Sequence, residues 1–212
     1  PRIMPDCSEV TCASGRVGRF YFHSKTTIYI DGSGMFGKVV AVKTAASAAV
    51  QKRDDDTGEW DALSWPVPEE VDQTSVVSEI LALLITLRHL QKGHKYVIYA
   101  DCMAVILGWA KGWKDLKGKG RHDGLWKQIY EAREGLEVEV LKTKAHRSRE
   151  QAVRDNDLQN FEGNEAADRE AKGSANKRGH PPSACKDGED RQQAKRKGVA
   201  WTLGTLKQAA ID

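Results

Sequence analysis

No stretch of this sequence is apolar for the roughly 18–20 residues that a membrane-crossing helix takes. Leu81 to Leu87 is apolar but short, and Arg88 and His89 close it. The opening residues, Pro1-Arg2-Ile3-Met4-Pro5-Asp6, hold no apolar signal-peptide core. Neither a membrane anchor nor a secretory signal is expected, and an opening Pro rather than Met is what a piece of a longer product would show. Cysteine is scarce. Cys7, Cys12, Cys102 and Cys185 fit no common zinc spacing and are too few for a disulfide framework, so they read as reduced thiols of an intracellular protein. The formal net charge is only +3, so composition alone does not announce a nucleic-acid partner, and the placement of charge must decide. What remains is a chain of 212 residues, 40% hydrophobic, enough for one compact domain with flanking segments.

The patterning divides the chain at residues 1–22, an irregular flank, 23–174, a folded domain, and 175–212, a basic and mostly disordered tail rich in Lys, Arg, Gly and Gln. Thr26 to Ile30 is β-branched and aromatic, which predicts a strand, and Asp31-Gly32-Ser33-Gly34 predicts a tight turn after it. Lys38 to Gln51 and Trp60 to Val67 predict two further strands in an antiparallel meander. The apolar residues Val76, Val77, Ile80, Leu81, Leu83, Leu84, Leu87 and Leu90 recur at helical spacing, with Thr74 or Ser75 as cap and Gly93 as stop. Tyr96 to Ala100 and Leu136 to Thr143 predict strands, residues 103–113 and 124–134 helices, and Asn164 to Lys172 a short last helix. The order predicts an α/β fold with a mixed sheet.

Two strands end in aspartate with the same preceding pattern, Ile28-Tyr29-Ile30-Asp31 and Ile98-Tyr99-Ala100-Asp101. If these strands are parallel neighbours, both carboxylates reach the carboxyl edge of the sheet, where α/β proteins place their sites. Glu79 lies three residues after Val76 and four before Leu83, on or beside the buried side of its helix, where a carboxylate is costly unless a cation or donor meets it. Asp168 falls in the last helix behind Ala166 and Ala167, whose small size permits close approach to the sheet. Taken singly, each acid is more simply a turn former or a surface residue. Taken together they repel one another, divalent cations relieve that repulsion, and oxygen-only ligands favour Mg²⁺ or Mn²⁺. Two such ions form the clamp used for in-line displacement at phosphorus.

The stretches Tyr29-Ile30-Asp31-Gly32-Ser33, Ser78-Glu79-Ile80-Leu81-Ala82-Leu83, Tyr99-Ala100-Asp101, Lys144-Ala145-His146 and Gly163-Asn164-Glu165-Ala166-Ala167-Asp168 resemble, in order, the motifs of type 1 ribonuclease H. The resemblance implies a ribonuclease H-like fold, with a five-stranded mixed sheet flanked by helices. It also implies endonucleolytic hydrolysis of the RNA strand of RNA–DNA hybrids, leaving 5′-phosphate and 3′-hydroxyl ends. It casts Asp31 as the bridge between two Mg²⁺ ions, for which Mn²⁺ substitutes. Glu79 and Asp101 would hold the ion nearer the leaving group, Asp168 the ion that activates water, and His146 would assist proton transfer or product release. Thr74-Ser75-Val76 stand where the family often carries Asn residues that contact the hybrid, which leaves a catalytically weak or inactive hybrid-binding module derived from a retroelement as the alternative. The stretch Arg147 to Glu162 is long for a cellular member and is similar to retroelement reverse-transcriptase polyproteins; it is expected to be a loop that folds over the site.

Charge placement supports a nucleic-acid partner. Lys111, Lys114, Lys117, Lys119 and Arg121 crowd the segment that follows the Asp101 strand, interleaved with Trp109 and Trp113, and suit a phosphate backbone. A hybrid is told from duplex DNA by 2′-hydroxyls along its minor groove. Gly32 and Gly34, with Ser33, Thr74 and Ser75, are the expected groups to meet such sugars. Nothing in the sequence implies a specific protein partner.

Overall fold

The computed structural model describes residues 21–35, 43–54, 57–111, 122–145 and 147–177. In chain order these form β1 (Ile28–Met35), β2 (Thr44–Lys52), β3 (Trp60–Pro66), α1 (Ser75–Arg88), β4 (Lys95–Ala100) and α2 (Met103–Ala110). There follow α3 (Asp123–Ala132), β5 (Glu137–Lys142), α4 (Arg149–Arg154) and α5 (Leu158–Lys177). The five strands make one sheet in the order β3-β2-β1-β4-β5. β1, β2 and β3 pair antiparallel, whereas β1 with β4 and β4 with β5 pair parallel. The expected α/β fold with a mixed five-stranded sheet is thus the observed one.

Alternation along β1 explains the two layers of helix. Ile28 and Ile30 face a core shared with Val77, Leu81 and Leu84 of α1, Val105 of α2 and Ile129 of α3. Tyr29, between them, faces the other way, onto Ala166 and Ala167 of α5. Its ring stacks on Tyr99 at 5.8 Å between centroids, and its hydroxyl donates to Asn160 Oδ1 at 2.9 Å. α5 comes so close that a Cβ on Gly163 would lie 2.3 Å from the Tyr29 ring. The small residues Ala166 and Ala167 permit close approach, as their size implied.

α1 is the central helix. Thr74 caps it by accepting from the Val77 N–H at 3.3 Å. Every residue from Val77 to Leu87 is buried, so the helix is enclosed on all sides through three turns, while Val76 at its mouth is exposed. His89 serves as its C-cap in place of the expected Gly93. The His89 ring is buried against Trp65, its Nδ1–H donating to the Ile85 carbonyl at 2.8 Å. Burial lowers its pKa and keeps it neutral.

Several expectations needed correction. Asp31-Gly32-Ser33-Gly34 is no turn: β1 continues through it to Met35, paired with Ala48 to Ala45 of β2. β2 begins at Thr44 rather than Lys38, residues 36–42 lying outside the described ones. Phe22, assigned to the flank, is buried in the core and donates its N–H to the His89 carbonyl. Arg147 to Glu162 is not a long loop. Ser148 and Gln151 form a reciprocal capping box that starts α4, and α5 begins at Leu158, six residues before its expected start. Arg147 ties this helical corner together, its guanidinium buried and paired with Asp157 at 2.6 Å. α5 runs to Lys177, so the first three residues of the expected tail are helical; the rest of the tail lies outside the described residues.

Candidate active site

The parallel register of β1 and β4 places the first two acids. Ile28, Tyr29 and Ile30 pair with Ile98, Tyr99 and Ala100, so Asp31 and Asp101 follow the same last pair. The third acid arrives from α1 because β1 allows a very close approach. A Cβ on Gly32 would stand 2.3 Å from the Glu79 backbone nitrogen, and one on Gly34 would stand 2.9 Å from that of Ser75. Ser47 of β2 helps to fasten the contact, donating its hydroxyl to the Ser78 carbonyl at 2.7 Å. The two glycines were expected to leave backbone free for a sugar. The structure gives the absent side chains a different use, since α1 fills the space.

One carboxylate oxygen each of Asp31, Glu79 and Asp101 lies within 4.8 Å of the others. Asp31 and Glu79 are only 6% exposed, and Asp101 is half-buried. Asp168, from α5, joins them on the wall of a cleft of about 490 Å³. Gly32, Ser33, Gly34 and Ser75 line the same cleft, as do three residues not singled out from sequence, Asn164, Glu165 and Lys172. A signal for two of these existed: Asn164 and Lys172 stand one helical turn before and after Asp168, on one face. Lys172 Nζ donates to Asp168 Oδ2 at 2.6 Å.

The electrostatics are those of crowded acids. Burial raises the Asp31 carboxyl to about 6, and the charges of Asp101 and Asp168 add to the rise. Contact with Glu79 and the Gly32 N–H opposes it. Burial also pushes Glu79 well above the ordinary carboxylate range, with Asp31 the main neighbouring charge. Lys172 is raised by its bond to Asp168. Among the described residues, the Glu79 Oε2 atom is buried with no hydrogen-bond partner. An orphaned carboxylate oxygen beside two more acids is costly without a cation. The donor set is all oxygen and strongly anionic, which fits a hard divalent ion.

The remaining expected residues fall elsewhere. Thr74 caps α1 through its side chain. Lys111 is exposed at the end of α2, immediately beyond the helix that follows Asp101, and its carbonyl accepts from Tyr130. His146, Lys114, Lys117, Lys119 and Arg121 lie outside the described residues. Lys142 of β5 approaches the rim, donating to the Asp101 carbonyl at 2.9 Å.

A mixed sheet with parallel strands at its centre, helices on both faces and acids gathered in β1 and just after β4 defines a ribonuclease H-like fold. The RNase H family model matches residues 23–176, and the chain belongs to that family. Its fold is similar to the crystal structure of LC9-RNase H1, described as a type 1 RNase H with the type 2 active-site motif. That likeness has a TM-score of 0.50 at 17% sequence identity and covers 71% of this chain and 72% of the other. No curated protein matches the chain.

Proposed function

We propose that this protein hydrolyses the RNA strand of RNA–DNA hybrids endonucleolytically, leaving 5′-phosphate and 3′-hydroxyl ends. The observation that carries the reading is the convergence of Asp31, Glu79 and Asp101 within 4.8 Å, with Asp168 on the same cleft. Asp31, whose carboxyl feels Glu79, Asp101 and Asp168, would be shared by two Mg²⁺ ions, Glu79 and Asp101 would hold one and Asp168 the other, with Mn²⁺ able to substitute. Ions bound there supply Lewis acidity toward a phosphodiester and lower the pKa of water. The chain's own residues do the rest. α1 and β1 hold Asp31 and Glu79 in fixed geometry. Asp168 Oδ2 accepts from Lys172, which leaves its Oδ1 to meet a cation. His146 moves a proton or helps product depart. We further read the domain as one module of a retroelement polyprotein, on the resemblance carried by the length of the Arg147 to Glu162 stretch; the full reading frame tests this.

Labelled RNA–DNA hybrid, duplex DNA and duplex RNA incubated with Mg²⁺ should show cleavage of the hybrid's RNA strand alone, with little dependence on base sequence. Equal cutting of duplex DNA would refute the reading, and tight hybrid binding without cleavage would favour a binding module.

The basic connection between α2 and α3 is the expected backbone grip. Charge reversal of Lys114, Lys117 and Lys119 together should weaken hybrid binding and flatten the slope of log affinity against log salt by about 1 for each phosphate no longer neutralised. Binding measured at several salt concentrations checks this, and an unchanged slope would remove the segment from the interface.

A further inference from the structure

Asn164 is a buried amide that the four-carboxylate reading leaves without a task. It is only 9% exposed, on the cleft-lining face of α5, one turn before Asp168. Its Oδ1 is buried and has no hydrogen-bond partner among the described residues. Leaving a buried carbonyl unpaired costs about 1–3 kcal/mol. Asparagine is also a poor helix residue beside alanine, and Ala166, Ala167, Ala171 and Ala175 fill other buried positions of this same helix. Packing against the sheet therefore gives no reason for an amide at 164.

The surroundings give one. The cleft already holds Asp31, Glu79, Asp101, Glu165 and Asp168, and Lys172 is engaged by Asp168 on the far side of that residue. A sixth acid would deepen the repulsion, and a second lysine would compete with a divalent ion for the same oxygens. A carboxamide offers an oxygen without charge. Mg²⁺ and Mn²⁺ take oxygen donors, and Mg²⁺ keeps several waters when one or two carboxylates hold it, so neutral acceptors beside the carboxylates have water protons to receive.

Resting on the reading that these carboxylates bind a divalent cation, we propose that Asn164 belongs to the cation site, its Oδ1 accepting hydrogen bonds from the water shell of the ion held at Asp168. The orphaned oxygen then has its partner in the loaded state, and the cost in the unloaded state is the cost of keeping the acceptor ready. The row Asn164, Asp168, Lys172 becomes one functional face: a neutral acceptor, a charged ligand and the cation that holds that ligand's Oδ2.

The test is Mn²⁺ titration of the full chain by calorimetry, without nucleic acid, for wild type, Asn164→Ala and Asn164→Asp. Asn164→Ala should weaken Mn²⁺ binding by roughly 10-fold, the lower end of what loss of a residue behind a metal's direct ligands commands. Asn164→Asp, which keeps an oxygen there, should recover wild-type affinity or exceed it. In chelator, Asn164→Ala should melt no lower than wild type, because it removes an unpaired oxygen. Wild-type binding with an unchanged Asn164→Ala overturns the inference and spares the cation reading; no binding by wild type overturns both. Weak binding by Asn164→Asp as well would mean that the amide's NH₂ matters rather than its oxygen, and a marked loss of stability in chelator would make Asn164 a structural brace. Either result also overturns the proposal.

Discussion

Asp31→Asn is expected to abolish hybrid cleavage and yet to melt at the same or a higher temperature than wild type in chelator. The two halves of this result come from one cause. The carboxylate is buried among acids, and its pKa rises from 3.8 to about 6. A shift of two units corresponds to about 3 kcal/mol that the folded state forgoes when the group is ionised, shared here with Glu79. Asparagine keeps the shape and removes the charge. The sign of the pH effect follows. Between the unfolded value and about 6 the folded chain holds more protons than the unfolded one, so in chelator wild-type stability should grow as pH falls through about 6 and level off below the unfolded value. His89, with its lowered pKa, acts in the opposite sense, and it is present in both proteins. The difference between the two pH profiles therefore cancels His89 and reports the coupled Asp31 and Glu79 carboxyls. Mg²⁺ should raise the wild-type melting temperature by linkage, about 2.7 kcal/mol at a hundredfold excess over Kd, and raise the variant's much less. Cleavage should drop by about 1000-fold or more, the upper range for losing a group that stabilises transition-state charge. Thermal melts across pH, with chelator and with Mg²⁺, check the prediction. A variant that melts well below wild type in chelator would show Asp31 to be a structural acceptor, and equal Mg²⁺ shifts would place the ion elsewhere.

Gly32→Ala should be the most damaging single-methyl change near the cleft. Its Cβ would meet the Glu79 nitrogen at 2.3 Å and the Ser78 carbonyl carbon at 2.6 Å. Both are backbone atoms of an enclosed helix, so relief requires α1 to move as a body or β1 to unpair from β2. Overpacking costs about 1–3 kcal/mol and more where backbone must shift, and a fall of about 3 kcal/mol amounts to roughly 6–12 °C in Tm for a domain of this size. The same shift carries Glu79 away from Asp31, so Mg²⁺ stabilisation should shrink with it. Gly124→Ala is the control, because a Cβ there meets nothing within 4 Å and the position is helical; it should be neutral or stabilise by about 0.5–1 kcal/mol. Differential scanning calorimetry of the two variants checks this, and a neutral Gly32→Ala would contradict the close packing of β1 against α1.

The parts of the fold that sequence made legible are those where one physical effect dominated. The repeated Ile-Tyr-apolar-Asp pattern made parallel neighbours of β1 and β4 the condition for two acids to meet, and their register meets that condition. Glu79 stood out because a charge within an apolar helical run needs a reason. Where two effects compete, the reading failed. Asp31-Gly32-Ser33-Gly34 carries turn chemistry, but its glycines serve the approach of α1 and the strand runs on. The first six residues of α5 carry few apolar side chains, and Gly163 looks like a helix stop; Tyr29, from a strand more than a hundred residues earlier, is what makes glycine necessary mid-helix. α4 was recoverable, since Ser148 and Gln151 have capping-box spacing. Asn164 was not: its significance lies in a burial and a missing partner that only the assembled cleft displays.

The arrival of Asp168 on the last described helix bears on how the four-acid cleft comes into being. Asp31, Glu79 and Asp101 come from β1, α1 and the residue after β4, all of which precede α5 in the chain, and α1 packs on one face of the sheet. Asp168 comes on α5, the last described element, seated on the opposite face through Gly163 and Tyr29. During synthesis the chain passes through a stage in which three acids have emerged without the fourth. Closing that contact brings together Tyr29 and Asn160, 131 residues apart, and falls late on topological grounds. The four-acid cleft is therefore complete only once α5 has docked.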